Sequence, residues 1–306
     1  MSEIPTPVQL KPSSSVQRVW KIVELVNWST LYLKEKGFEA PRLNTELLLC
    51  HTLKCSRIDL YTHFDKPLSN DELTAFKSLF KRRLDHEPIQ YIIGEIEFMG
   101  LKFFVDKRVL IPRQETEILV QEAINLSHEL EGSIKILDIG VGSGNIAISL
   151  VKYINDALVT GVDVSADALD VAKINTERHS LNNKVKLFCH NIFDDITFDD
   201  KFDIVVSNPP YISSDEMKEV KKEVSDYEPT IATTDLGDGL TYYKRIVEVG
   251  KLILQEGGWL LVEIAYNQKD EVSKLLSSSG YSNVETIKDY GGNFRVVKGK
   301  NVSNYK

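Results

Sequence analysis

Ile134-Lys135-Ile136-Leu137-Asp138-Ile139 runs straight into Gly140-Val141-Gly142-Ser143-Gly144, and no other stretch narrows the possible folds as much. A short apolar run ending in alternate glycines reads as a buried strand followed by a tight turn. Residues 145–152 then carry helical spacing, so the unit is strand, glycine turn, helix. The alternation continues. Strands are expected at 158–162, 185–189, 202–206, 259–264, 284–287 and 294–297, and helices at 166–179, 240–255 and 267–278. Such alternation predicts an α/β fold with a mostly parallel, doubly wound sheet and helices on both faces. The last two strands, joined through Gly291-Gly292, predict an antiparallel hairpin at one edge.

The chain upstream is different. Residues 1–15 are rich in Pro and Ser and read as a disordered tail. Residues 16–85 read as a small helical bundle with no strand signal. Ser69-Asn70-Asp71-Glu72 is a capping box that opens its last helix. The Lys81-Arg82-Arg83 run in that helix reads as a solvated face. Residues 86–110 contain two short alternating runs around Met99-Gly100 and read as a β-hairpin linker. Pro112 opens a helix of roughly 113–130, and residues 111–306 form the α/β domain. Cys50, Cys55 and Cys189 offer no disulfide framework and no metal-ligand spacing, which fits a reducing cytoplasm. No run of 18 apolar residues marks a membrane helix, so neither a membrane nor a metal is expected.

The chemistry gathers on one edge of the expected sheet. Gly140, Val141, Gly142, Ser143 and Gly144 form a turn that lets a ligand approach backbone. It is not the dinucleotide fingerprint, because Asn145 stands where the third glycine belongs, and it lacks the Lys-Ser/Thr of a phosphate loop. Asp163 ends the second strand, about 20 residues on, where an acid accepts the ribose hydroxyls of an adenosine. Asn191 and Ile192 follow the third strand, at the place for an adenine edge. Asn208-Pro209-Pro210-Tyr211 ends the fourth. Its prolines stiffen the chain and fix an amide and a ring beside the same ligand.

This combination resembles class I S-adenosylmethionine (SAM) methyltransferases, in which Asn-Pro-Pro-Tyr serves planar amide or exocyclic-amine acceptors. Further motifs are similar to the HemK/PrmC family. They are Glu87-Pro88-Ile89-Gln90-Tyr91-Ile92-Ile93-Gly94, Arg113-Gln114-Glu115-Thr116-Glu117, Tyr227-Glu228-Pro229, Glu263-Ile264 and Asp289-Tyr290-Gly291. Three positions depart: Gln114 stands where proline is usual, the glycine loop carries Val141, and Asn191 stands where an Asp is common. The resemblance implies a class I SAM methyltransferase sheet with an N-terminal helical substrate-recognition domain. It implies methylation of the glutamine in the Gly-Gly-Gln motif of class I peptide-chain release factors, with SAM as cofactor.

The site residues implied are Asn208, Pro209, Pro210 and Tyr211 for catalysis, and 140–144, Asp163, Asn191, Ile192 and Asn208 for the cofactor. On this reading the Asn208 oxygen and the Pro209 carbonyl accept the two hydrogens of the substrate amide, and Tyr211 packs against its plane. Arg113 is left between cofactor and substrate, and Glu263 reads as a structural acid. A monomer is expected. The alternatives are a nucleic-acid amino-methyltransferase and a non-catalytic SAM-binding module that docks a translation factor. The net charge of −8 weighs against broad nucleic-acid binding.

Overall fold

A computed structural model describes residues 19–195, 198 and 200–302; the expected tail at 1–15 lies outside them. The chain divides into two compact units, residues 1–93 and 94–306.

The first unit is helical: α1 (Ile22–Glu35), α2 (Pro41–Leu53), α3 (Arg57–Thr62), α4 (Asn70–Leu84) and α5 (Ile89–Ile93). Leu25, Leu33, Leu48, Leu49, Phe76 and Phe80 fill its core. The Ser69 capping box is formed, its hydroxyl accepting from the Glu72 amide while Glu72 accepts from the Ser69 amide. The basic run at the end of α4 is not a solvated face throughout. Arg83 is buried; its guanidinium donates to Asn44 Oδ1 at 2.6 Å and to the Glu87 carbonyl at 3.0 Å. Burial of a cation demands such partners. The sequence placed residues 86–93 in the linker. They include α5, whose buried Ile89 and Ile92 belong to the helical core.

The second unit opens with a hairpin, β1 (Glu95–Phe98) and β2 (Leu101–Phe104), then α6 (Glu117–Ser127). The sheet strands are β3 (Ile134–Ile139), β4 (Ala157–Asp163), β5 (Val185–Cys189), β6 (Phe202–Ser207), β7 (Leu254–Glu263), β8 (Tyr281–Lys288) and β9 (Phe294–Asn301). Between them lie α7 (Asn145–Tyr153), α8 (Ala166–Arg178), α9 (Lys222–Ser225), α10 (Thr230–Thr233), α11 (Thr241–Ile253) and α12 (Lys269–Ser278). Strand order is β5-β4-β3-β6-β7-β9-β8. The first five are parallel, and β9 inserts antiparallel between β7 and the edge strand β8. One apolar layer joins Ile136 and Ile204 to α6 and α7; the other joins Leu137, Val205 and Leu260 to α11 and α12. Burial on both faces explains why these strands read as unbroken apolar runs.

The hairpin is bound into this unit. Met99 and Gly100 have φ of +50° and +68°, the tight two-residue turn that a residue followed by glycine makes. Phe98 and Phe103 sit in the α6–α7 layer. Asn175 on α8 is fully buried. Its Oδ1 accepts from the Phe104 amide at 2.7 Å, and its Nδ2 donates to the Phe104 carbonyl at 2.9 Å and the Ser143 carbonyl at 2.8 Å. One amide side chain thus completes the hairpin edge and ties it to the glycine turn. Asn175→Ala leaves the buried Ser143 carbonyl and two part-buried groups of Phe104 unpaired, so it should cost about 2–4 kcal/mol. Urea denaturation measures this; a loss below 1 kcal/mol would show that water replaces the amide.

Candidate active site

The glycine turn curls over the end of β4. The Gly140 and Val141 amides donate to the Val162 carbonyl at 2.8 and 3.0 Å. Gly140 and Gly142 hold φ of +77° and +52°. A Cβ on Gly140 would meet nothing within 4 Å, so this backbone faces open space. Gly144 serves packing instead. A Cβ there would meet Ile148 at 3.3 Å and Ala172 at 3.4 Å, so its smallness brings α7 close to α8.

Asp163 closes the other side of the turn. Its Oδ2 accepts from the Gly142 amide at 2.9 Å and its Oδ1 from the Ser165 amide at 3.0 Å. Burial raises its pKa, and these backbone donors oppose the rise. With the Val164 amide as a third backbone donor, the carboxylate still keeps acceptor capacity for a ligand. On the next strand end, Asn191 Oδ1 accepts from the Phe193 amide at 3.1 Å, and Ile192 is buried. Arg245 on α11 holds this segment by the Ile192 carbonyl at 2.7 Å and the Asp194 carbonyl at 2.9 Å.

β6 ends beside β3, where Ser207 Oγ donates to the Ile139 carbonyl at 2.7 Å. Asn208 follows, and its Nδ2 donates to Thr116 Oγ1 at 3.1 Å. Residues 140–143, Asp163, Asn191, Ile192 and Asn208-Pro209-Pro210 thus line one pocket of about 1050 Å³, its open mouth included. Two expected residues do not line it. Gly144 packs between helices as described. Tyr211 joins the layer under α11 and sends its hydroxyl to Glu263 Oε1 at 3.5 Å. Its backbone carbonyl accepts from Gln268 Nε2 at 3.0 Å.

Other wall residues include Arg113, left by the sequence between cofactor and substrate, Thr116, which entered only within a motif, and His190, which carried no local signal. His190 Nε2 is buried with no partner among the described residues. Arg113 Nη2 donates to both oxygens of Glu228, at 2.8 and 2.6 Å. Glu228 is buried, which raises its pKa, and the guanidinium pulls it back down. Glu263 is buried too and is pushed up to about 7 by that burial, while the nearby Thr116 hydroxyl and the charge of Arg295 favour its charged form. No cluster of three or more metal-ligating side chains occurs among the described residues.

Asp138, fully buried beneath the turn, is also pushed up to about 7 by burial, and the Ala147 amide at 3.1 Å only partly offsets this. A carboxyl raised in the folded state contributes stability below its unfolded pKa of about 3.9 and loses it as pH climbs through 7. Asp138→Asn should therefore gain stability over the parent at pH 8, by a few kcal/mol in order of magnitude, with the gap closing toward pH 4. Thermal unfolding at both pH values checks this; a gap independent of pH would contradict it.

A chain from Geobacter sulfurreducens, described as a release factor glutamine methyltransferase, is 42% identical over 282 residues, covering 92% of this chain and 97% of its own length. One from Fusobacterium nucleatum with the same description is 40% identical and covers 91% of this chain and 78% of itself. The chain belongs to the release factor glutamine methyltransferase family. Two family models agree. Residues 24–94 match the PrmC N-terminal domain, and residues 114–225 match the methyltransferase small domain. A solved protein-(glutamine-N5) methyltransferase from Alicyclobacillus acidocaldarius is 28% identical, spanning 66% of this chain and 100% of that one at a TM-score of 0.40. Membership in this family implies use of SAM, and the pocket fits it. Open space lies over Gly140, and the Asp163 carboxylate is fixed by backbone with acceptor capacity left. No helix among the described residues is long and apolar enough to cross a membrane.

Proposed function

We propose that this protein methylates the side-chain amide nitrogen (N5) of the glutamine in the Gly-Gly-Gln motif of class I release factors, in the cytoplasm. The observation that carries this is the Asn208–Thr116 hydrogen bond at the pocket wall, within a chain of this family. An Asn208 amide that donates to Thr116 presents its Oδ1 as an acceptor, which suits the two hydrogens of a primary amide.

SAM, when bound, supplies a methyl group on a positively charged sulfur. The turn at 140–143, Asp163 and the 191–192 segment hold it; Asp163 takes the ribose hydroxyls. Asn208 Oδ1 and the Pro209 carbonyl accept the two hydrogens of the glutamine amide. They fix the nitrogen and favour the positive charge that develops on it. An amide nitrogen is a weak nucleophile, so alignment has to do much of the work, up to about 7–11 kcal/mol. Once methylated the nitrogen is strongly acidic, and no dedicated base is needed. Tyr211 packs behind the turn, under α11, with its hydroxyl 3.5 Å from Glu263 Oε1. Pro210 stiffens the turn. The helical unit reads the release factor.

Mass spectrometry of the Gly-Gly-Gln peptide after incubation of the protein with SAM and a release factor tests the reading. A gain of one methyl on the glutamine is expected. An unmodified glutamine, with methyl transferred to nucleic acid instead, would overturn it.

A further inference from the structure

In the helical unit, one buried carboxylate holds surface side chains still. Glu46 on α2 is 1% exposed, yet its side-chain partners all reach into solvent. Arg42 Nε donates to its Oε1 at 2.8 Å, and the Tyr61 hydroxyl on α3 donates to the same oxygen. Arg57 Nε and Nη2 donate to Oε2 at 3.0 and 2.6 Å. The side chains of Arg42 and Arg57 stay 53% and 52% exposed, and Tyr61 is 51% exposed. The Arg42 guanidinium also lies over the Tyr61 ring, 5.7 Å from its centre.

A buried carboxylate needs several donors, and donors that were themselves buried would meet that need. Here they belong to three side chains left half open. Arginine and tyrosine dominate the binding energy of protein interfaces, and long side chains lose freedom when they bind. Glu46 removes that freedom in advance. Its bonds also use fewer guanidinium N–H groups than they leave. Apolar surface lies beside them: Ile58, next to Arg57 on α3, is 73% exposed, and Leu43, next to Arg42, is 40% exposed. Of its own residues α3 buries Leu60 alone. Asp59, the acid on this helix, is turned back to Ser56, accepting from its amide at 2.8 Å and its hydroxyl at 2.6 Å. Two arginines against one carboxylate leave the cluster positive in a chain whose net charge is −8.

We propose that Arg42, Arg57, Ile58 and Tyr61 form a preorganised docking surface for an acidic stretch of a release factor, outside its Gly-Gly-Gln loop. This rests on the glutamine reading above and gives a place to the contact that reading assigns to the helical unit. Fixed guanidinium forks pair best with carboxylates, and exposed Ile58 adds apolar contact that a protein returns and a phosphate backbone does not. RNA fits less well. Single-stranded bases stack on open aromatic faces, whereas Arg42 lies over the Tyr61 ring.

The test uses the whole protein and two variants. Ile58→Asp sets a negative charge among the arginines. Ile58 makes none of the Glu46 bonds and stands in the first turn of α3, where an acid suits the helix. Arg42→Ala removes one guanidinium and leaves Arg57 and Tyr61 on Glu46. KM and kcat for an intact class I release factor are measured at rising salt, with equilibrium binding of that factor, SAM affinity and melting temperature. Ile58→Asp should weaken binding and raise KM by about tenfold or more, with kcat, SAM affinity and melting temperature near the parent's. Arg42→Ala should raise KM by about threefold or more and flatten its rise with salt. Parental KM in both variants would overturn the proposal. So would a loss that falls on kcat, or a rise in KM that tracks the melting temperature. Variants that bind the release factor as the parent does but lose affinity for transfer RNA would replace it with a nucleic-acid surface. A parent that methylates no glutamine overturns the glutamine reading. Equilibrium binding of the factor then still decides the surface, weaker binding by Ile58→Asp supporting it and equal binding refuting it.

Discussion

Replacing Asn208 with alanine should lower turnover on a release factor by about 10²–10³-fold, the usual loss when one fixed polar group at a reacting centre is removed. Alanine takes away the oxygen that faces the acceptor amide, and it leaves Thr116 Oγ1 without its donor at 3.1 Å. SAM affinity should fall far less, because the 140–143 turn and Asp163 belong to β3 and β4 and are held by their own backbone bonds. Stopped-turnover assays beside equilibrium binding separate the two effects. Turnover within threefold of the parent would remove Asn208 from the mechanism. Asn208→Asp is the sharper companion. It keeps two acceptor oxygens, so the loss should be smaller than for alanine, yet it forfeits the N–H toward Thr116.

Gly239→Ala should damage the site from outside it. Gly239 has φ of +79°, and a Cβ there would lie 2.6 Å from the Tyr211 carbonyl oxygen and 2.8 Å from Gln268 Nε2. The first of these is backbone and cannot swing away. Gln268 already clamps it at 3.0 Å and is itself bonded to the Tyr243 hydroxyl at 3.2 Å. A left-handed alanine adds about 1–2 kcal/mol of its own. We expect a stability loss of roughly 2–4 kcal/mol and, in the folded fraction, a fall in turnover beyond tenfold as the turn shifts. Denaturation curves and turnover per folded molecule are the measurements. Normal turnover at reduced stability would mean that the clash relaxes toward residues 235–241 rather than toward Tyr211.

What the sequence disclosed and what it hid differ by range. β3, β5 and β6 are short apolar runs closed by turn residues, and local pattern placed each within one residue. β7 begins at Leu254, five residues before the expected start, because Gln255, Glu256, Gly257 and Gly258 break the apolar run; pairing of Phe202 with Leu254 across a register shift recruits them. The helix expected over 113–130 is shorter. Arg113 is extended, with ψ of 146°, and a single tight turn at Gln114–Thr116 precedes α6. That departure directs Arg113 to Glu228 and Thr116 to Asn208, partners 115 and 92 positions away. Such pairs leave no periodic trace, so Thr116 passed as part of a motif and Glu263 as an isolated acid. The glycine turn, Asp163 and Asn208 were legible because each sits at a strand end, where topology alone decides the neighbours.

The hairpin has a consequence for dissecting the molecule. The Met99 amide donates to Glu117 at 2.7 Å, its carbonyl accepts from the Tyr153 hydroxyl at 2.6 Å, and Asn175 clasps Phe104 on both sides. A catalytic fragment begun at residue 111, where the sequence drew its boundary, would strip β1 and β2 away. It would bare Phe98 and Phe103's seat in the α6–α7 layer and strand Asn175 against the glycine turn. The natural place to cut is Gly94, ahead of the hairpin, so that residues 94–110 travel with the enzyme's chemistry rather than with the helices they follow.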